Sequence, residues 1–276
     1  MTHTPTRIRE LLAEHGLAPS RALGQNFVAD PNTVRRIVRL AGVEPGDRVV
    51  EIGAGLGSLT LALVDAGAEV TAVELDRHLV PILRSVAEPV GVTVVHGDAM
   101  DLDWDALLGF DPDRPWSLVA NLPYNIATPL LLDLLRDVPQ IERMFVMVQL
   151  EVAERLAGTP GSRAYGIPSV KVAWWADAHV VGKVPPTVFI PPPRVDSGLV
   201  EIVRRPPAGD VDERQAVFAL VEAGFNQRRK MLRRSLADHV DAEAFVRAGL
   251  RPEARAEELV LADWIRLAAV ARPPDR

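Results

Sequence analysis

The chain has 276 residues, enough for one large domain and a small appendage, and at 48% hydrophobic and 25% charged it has the composition of a soluble globular protein. It holds no cysteine, which excludes disulfides and Cys-ligated zinc. No apolar run is long enough to span a bilayer and no basic-then-apolar leader opens the chain, so a cytoplasmic location is expected. The net charge of −6 argues against a nucleic-acid partner on average, but the average hides a local asymmetry near the C-terminus.

In chain order, residues 7–16 form a short amphipathic helix ending at Gly16. An irregular arm follows. From Pro31 the pattern turns helical, with Asp30 placed to cap it and Gly42 to stop it. Strands are expected at 48–53, 69–75, 92–100, 117–122 and 143–150, and helices at 58–67, 77–87, 128–137 and 151–158. Pro129 falls in the first turn of the third of these helices. Two closing strands, 177–184 and 197–205, are joined by the proline-rich PPTVFIPPPRVDS. Near-continuous apolar strands alternating with helices imply a parallel sheet covered on both faces. The expected fold is therefore α/β: a Rossmann-like, mostly parallel sheet of seven strands. Composition shifts around 205–210, which divides the chain into a catalytic part, 1–206, and a small all-α part, 207–276.

The first strand runs into EIGAGLGSLT, where Gly53, Gly55 and Gly57 let the backbone turn sharply and approach a ligand closely. A dinucleotide fingerprint needs a third glycine at position 58, which is Ser58 here. The G-x-G-x-G pattern is more typical of S-adenosylmethionine methyltransferases, whose ligand has no pyrophosphate to cradle. Glu74 closes the second strand, where a carboxylate can accept both ribose hydroxyls. Asp98, after the third strand, can accept from an adenine amino group, although Gly-Asp is also ordinary turn chemistry. All of these lie at strand C-termini, the edge where open α/β sheets bind ligands.

The fourth strand ends in NLPY, 121–124. An exocyclic amine is a poor nucleophile because its lone pair is delocalised into the ring. A general base gains little, since the neutral N–H is scarcely acidic. What helps is a pair of acceptors that grip the amino hydrogens and aim the lone pair at the methyl group. The Asn121 side-chain oxygen and the Leu122 carbonyl are the candidates. Pro123 restricts Leu122 and so holds that carbonyl, and Tyr124 can stack on a base. Such an amine cannot react while its base is stacked, so the target is flipped or taken from a loop. No metal is expected.

FNQRRKMLRRSL, 225–236, carries Arg228, Arg229, Lys230, Arg233 and Arg234 without an interleaved acid. Read as a basic helix, it predicts phosphate contacts and steeply salt-dependent RNA binding.

These stretches, with LGQNFVAD (23–30), NLPYNIATPLL (121–131), QLEVAERLAG (149–158), GSRAYGIPSV (161–170) and FIPPPRVDSGLV (189–200), resemble the small-subunit (16S) rRNA adenine-N6,N6-dimethyltransferase family. The likeness runs along most of the chain. It implies that Asn26 and the Val28 backbone close over S-adenosyl-L-methionine, with Gly53, Glu74, Asp98 and Asn121 completing that site. Phe189 and Tyr124 would wall the target-adenine pocket. The resemblance implies two methyl transfers to each of two adjacent adenosines in a hairpin loop near the 3′ end of the 16S rRNA. The partner is then a precursor of the small ribosomal subunit, and the enzyme is expected to be a monomer. Val28 replaces a more usual Leu and Ala54 a more usual Pro, and neither puts the activity in doubt. Three other readings fit parts of the pattern: a large-subunit rRNA adenine methyltransferase of the antibiotic-resistance type, a protein-glutamine methyltransferase, and an assembly factor that binds without turning over.

Overall fold

The computed structural model describes residues 2–20, 22–228 and 230–271. Helix α1 (Pro5–Glu14) starts with Pro5 at its first turn, and the Thr4 hydroxyl accepts from the Arg7 N–H. It buries Ile8, Leu11 and Leu12. The arm leads to a two-residue strand, β1 (Phe27–Val28), and then to α2 (Pro31–Ala41). Asp30 caps α2 by accepting from the N–H groups of Asn32 and Thr33, and Gly42 ends it in the left-handed region, as the sequence predicts.

The alternating region follows as β2 (Arg48–Ile52), α3 (Ser58–Asp65), β3 (Glu69–Glu74), α4 (Val80–Ala87) and β4 (Thr93–His96). It continues as α5 (Trp104–Leu108), β5 (Trp116–Asn121), α6 (Ala127–Asp137), β6 (Ile141–Gln149) and α7 (Leu150–Leu156). Next come α8 (Ile167–Ala173), β7 (Ala176–Val184), β8 (Phe189–Ile190) and β9 (Ser197–Arg204). The chain ends with α9 (Val211–Asn226), α10 (Leu232–Ser235), α11 (Ala242–Arg247) and α12 (Leu261–Val270). Helices α5 and α8 and strands β1 and β8 were not anticipated, because pieces of two to seven residues are too short to show a period.

The seven-stranded sheet has the order β4-β3-β2-β5-β6-β9-β7. β2 pairs in parallel with β3 and β5, β3 with β4, and β5 with β6, while β9 runs antiparallel to β6. β2 is buried throughout after Arg48, as a strand covered on both faces must be. The order reverses between β2 and β5, so a crevice opens at their C-terminal ends. β1 and β8 form a separate antiparallel pair, with Val28 opposite Phe189. That pair returns the arm to the same end of the sheet.

The core of this part holds Val49, Leu63, Val119 and Phe145 among its fully buried side chains. A second cluster joins Ile8, Leu11 and Leu12 of α1 to Phe27, Leu56, Leu79 and Ile82. Each such side chain contributes roughly 1.5–3 kcal/mol on burial, so α1 is firmly held beneath the glycine turn.

Two compact units are distinguished: residues 1–153 with 179–204, and 154–178 with 205–276. The second therefore includes 154–178, which a division at residue 206 places with the catalytic part. Within it Phe218 packs edge-on against Trp174 and Trp175, and Tyr165 lies edge-on to Phe225 and donates its hydroxyl to the Leu259 carbonyl at 2.6 Å. No helix among the described residues is long and apolar enough to cross a membrane.

Candidate methyl-transfer site

The turn after β2 is built from glycines with positive φ: 73° at Gly53, 59° at Gly55 and 86° at Gly57. A side chain at Gly55 would meet the Phe27 ring at 3.1 Å. Gly53 N–H donates to the Val73 carbonyl at 2.8 Å, which ties the turn to β3. The first-turn N–H groups of α3 have no carbonyl before them, and Ser58 and Leu59 bring that turn to the cleft wall.

Glu74 is 7% exposed, and both of its oxygens are held. Oε2 accepts from the Gly55 N–H at 2.7 Å and Oε1 from the Asp76 N–H at 2.8 Å. Burial pushes its pKa up, and these N–H groups oppose the rise. Each oxygen keeps a second lone pair, which suits a vicinal diol. Asp98 accepts from the Met100 N–H with Oδ1, and its Oδ2 has no partner among the described residues.

At the end of β5, Asn121 Nδ2 donates to the carbonyl of Asn26 at 3.1 Å. That bond fixes the amide orientation and leaves Oδ1 as the open acceptor. Leu122 N–H donates to the Met147 carbonyl at 3.0 Å, so the Asn121–Leu122 peptide is tied to β6. The Leu122 carbonyl accepts nothing from the described residues. Tyr124 shares a hydrogen bond of 2.7 Å with the buried hydroxyl of Ser197. Burial raises the Tyr124 pKa, so the phenol stays neutral.

One cleft of ≈ 980 Å³, its open mouth included, is lined by Asn26, Val28, Gly53, Gly55, Glu74, Asp98 and all four residues of NLPY. The set fits S-adenosyl-L-methionine: N–H groups at the turn for its carboxylate, Glu74 for its ribose, Asp98 for its adenine. Two expected residues lie outside the lining. A side chain at Gly57 would meet Leu83 and Val86 at 3.2 Å, so this glycine serves packing against α4. Phe189, 3% exposed, sits in the apolar core opposite Val28.

Three residues went unnoticed in the sequence. Gln25, in the cleft lining, reaches Asp76, with Nε2 donating to Oδ2 at 2.7 Å, while its Oε1 accepts from the Ser20 N–H. His3 is buried with Nε2 2.8 Å from the Leu56 carbonyl, where it can only donate, and burial lowers its pKa. Glu51, 2% exposed, accepts from the Thr60 hydroxyl at 2.5 Å and is pushed up to about 8 by burial, with Glu74 adding to the rise. Gln25 stands inside GQNF and so had a signal. Glu51 was masked by its apolar strand.

The basic stretch is not one helix. α9 stops at Asn226, and only Leu232–Ser235 turn helical again. Arg228 donates to Glu257 at 2.8 Å and to the carbonyl of Arg163 at 3.0 Å, and Arg233 lies 3.6 Å from Glu253. The partners are distant acids, which is why an acid-free segment looked unpaired. Lys230 and Arg234 have no ion pair among the described residues, and Arg229 lies outside them.

The model of the family described as "Ribosomal RNA adenine dimethylase" matches residues 19–272. The chain is 50% identical to the ribosomal RNA small subunit methyltransferase A of Leifsonia xyli subsp. xyli, covering 96% of this chain and 97% of that protein. It is 48% identical to the protein of that name from Thermobifida fusca, covering 96% and 94%. Among solved structures, the 23S rRNA methyltransferase ErmE superposes with a TM-score of 0.68 at 27% identity, over 89% of this chain and 99% of that one. A dimethyladenosine transferase from Plasmodium falciparum reaches 0.72 at 22% identity, over 87% and 95%, a likeness of fold. The chain belongs to the ribosomal RNA adenine dimethylase family.

Proposed function

We propose that this protein transfers methyl groups from S-adenosyl-L-methionine to the N6 amines of two adjacent adenosines in a 3′-terminal hairpin loop of 16S rRNA. The product is N6,N6-dimethyladenosine, formed on a precursor of the small ribosomal subunit by a cytoplasmic monomer. The observation that carries the reading is the pair of open acceptors at the end of β5: Asn121 Oδ1, left free by the bond to Asn26, and the neighbouring Leu122 carbonyl.

Bound S-adenosylmethionine supplies an electrophilic methyl group, and the chain supplies position. Asn26, the Val28 backbone, Gly53, Gly55, Glu74 and Asp98 hold the donor, and Gly57 supports the turn from behind. Asn121 and Leu122 hold the amine hydrogens, Pro123 keeps the Leu122 carbonyl aimed, and Tyr124 stacks on the flipped base. Phe189 acts at one remove, through the strand pair that sets Val28. At each transfer the amine takes the methyl group from the sulfonium, which leaves as a thioether, and the amine loses one proton to water; after the first transfer one N–H remains, and the two acceptors share it. The second unit meets RNA with Lys230 and Arg234. No observation favours the large-subunit, protein or non-catalytic readings.

Labelled S-adenosylmethionine with small-subunit particles lacking the modification is expected to yield labelled dimethyladenosine. Asn121→Ala should abolish that label while particle binding survives. Label found only in large-subunit RNA or in protein would overturn the reading.

A further inference from the structure

Several arginines of the first unit are neutralised at home. Arg7, Arg84, Arg114, Arg136 and Arg143 each lie within 4.0 Å of a carboxylate. Helix α2 is different. Arg35 and Arg39 are exposed, Arg36 is half-buried, and none has an ion-pair partner among the described residues. The acid at the head of the helix, Asp30, is engaged as its cap, accepting from Asn32 N–H, Thr33 N–H and the Thr33 hydroxyl.

Arg36 is built into place. Its Nη1 donates to the carbonyl of Lys183, at 3.0 Å, on the edge strand β7. A side chain at Gly182 would meet Nη2 at 2.6 Å, so this glycine leaves the room the guanidinium takes. Side chains alternate along a strand, so Lys183 points to the face opposite α2. It too is exposed and without an ion pair among the described residues. Positive charge therefore wraps this edge of the sheet from both faces. A lysine on an edge strand also discourages strand pairing. Three helix arginines are not needed for that.

The head of α2 adjoins the cleft, and the helix runs from there toward Arg143 at the start of β6, where Gly42 lies. Val28, in the lining, is three residues before α2, and β7 runs through a short turn into β8, which pairs with Val28. A nucleotide entering the cleft has its chain neighbours nearby. Exposed cations without ion pairs on a net-negative protein are available to an external polyanion.

We propose that the α2–β7 edge is a second RNA-binding surface, gripping backbone phosphates that flank the target nucleotide. It rests on the rRNA reading above and adds a surface on the catalytic unit itself. Arg35 and Arg39 make the contacts, with Lys183 behind the edge. Arg36 sets the spacing of helix and strand.

The test uses full-length Arg35→Glu/Arg39→Glu, with Arg7→Glu/Arg84→Glu as an equal change of charge elsewhere. Binding to unmethylated small subunits and to protein-free 16S rRNA is titrated at several salt concentrations, beside S-adenosylmethionine affinity and melting temperature. The α2 variant should lose at least about tenfold affinity for both RNAs near 0.1 M salt. Its salt slope should shrink by roughly 1.4–1.8, since each phosphate contact contributes about 0.7–0.9. Cofactor affinity and melting should match wild type, and Lys183→Glu should give a smaller loss. Equal losses in both double variants, or an unchanged slope, overturn the proposal. Loss on particles alone, with protein-free rRNA bound normally, points to an acidic protein surface and also overturns it. Failure of the wild type to methylate particles strikes the function reading instead.

Discussion

Asn121 and Asn26 are 95 residues apart in the chain, and the side-chain amide of the first donates to the main-chain carbonyl of the second at 3.1 Å. One bond does two things. It pins the N-terminal arm over the cleft, and it turns the amide oxygen of Asn121 toward the acceptor side. Asn121→Asp keeps an oxygen there but places a carboxylate against the Asn26 carbonyl. The expected result is a fall in kcat of about 10²–10³, the scale of losing one preorganised polar contact in a site. Single-turnover methylation of unmodified particles measures it, with particle binding as the control.

Gly55 sits at φ 59° with the Phe27 ring 3.1 Å from where a Cβ would stand. Gly55→Ala therefore strains the turn and displaces the arm at once, at a cost of about 1–3 kcal/mol. Thermal unfolding should show a melting temperature lower by several °C. Calorimetry should show weaker cofactor binding, because the Gly55 N–H that holds Glu74 moves with the turn.

Glu51 carries a pH prediction. Its folded pKa, pushed up to about 8, is far above the ordinary value near 4.5. Between those values the folded chain keeps a proton that the unfolded chain releases, so this group lowers stability as pH rises through the window. Glu51→Gln keeps a partner for the Thr60 hydroxyl and removes the charge. The variant should match wild type at pH 5 and melt a few °C higher at pH 9. An equal melting difference at both values would contradict the assignment.

Tyr124 and Ser197 separate stacking from anchoring. Tyr124→Phe keeps the ring but leaves the fully buried Ser197 hydroxyl without its 2.7 Å partner. That costs about 1–3 kcal/mol of stability and should lower kcat less than tenfold. Tyr124→Ala removes the ring and should cost a further 1–3 kcal/mol in transition-state stabilisation, the scale of one base–aromatic stack. The two variants are compared by melting and by methylation rate.

The basic stretch divides by partner. Arg228 bonds Glu257 and main-chain carbonyls, so Arg228→Ala should lower the melting temperature more than it weakens RNA binding. Lys230→Ala and Arg234→Ala should each reduce the RNA salt slope by about 0.7–0.9 with little change in melting. A titration series in salt distinguishes them.

Much of this protein was legible in one dimension. Apart from the five-residue α5, the elements from β2 through α7 show in the sequence because apolar period, caps and glycine turns are local, and local physics marks them. The positions of Glu74, Asp98 and NLPY follow, since strand C-termini fall on one edge of a parallel sheet. The sequence alone thus determined the sheet and the residue types along its ligand-binding edge. Other features depend on groups far apart in the chain, and only the tertiary structure decided them. Asn121 is oriented by Asn26, Gln25 crosses to Asp76, and Phe189 is drawn into the core by pairing with Val28 rather than into the cleft lining. Arg228 and Arg233, free cations in the sequence, meet Glu257 and Glu253 once the chain folds. Hydrogen bonds and ion pairs act over a few ångströms of space, and no local pattern records which distant residue will fill it.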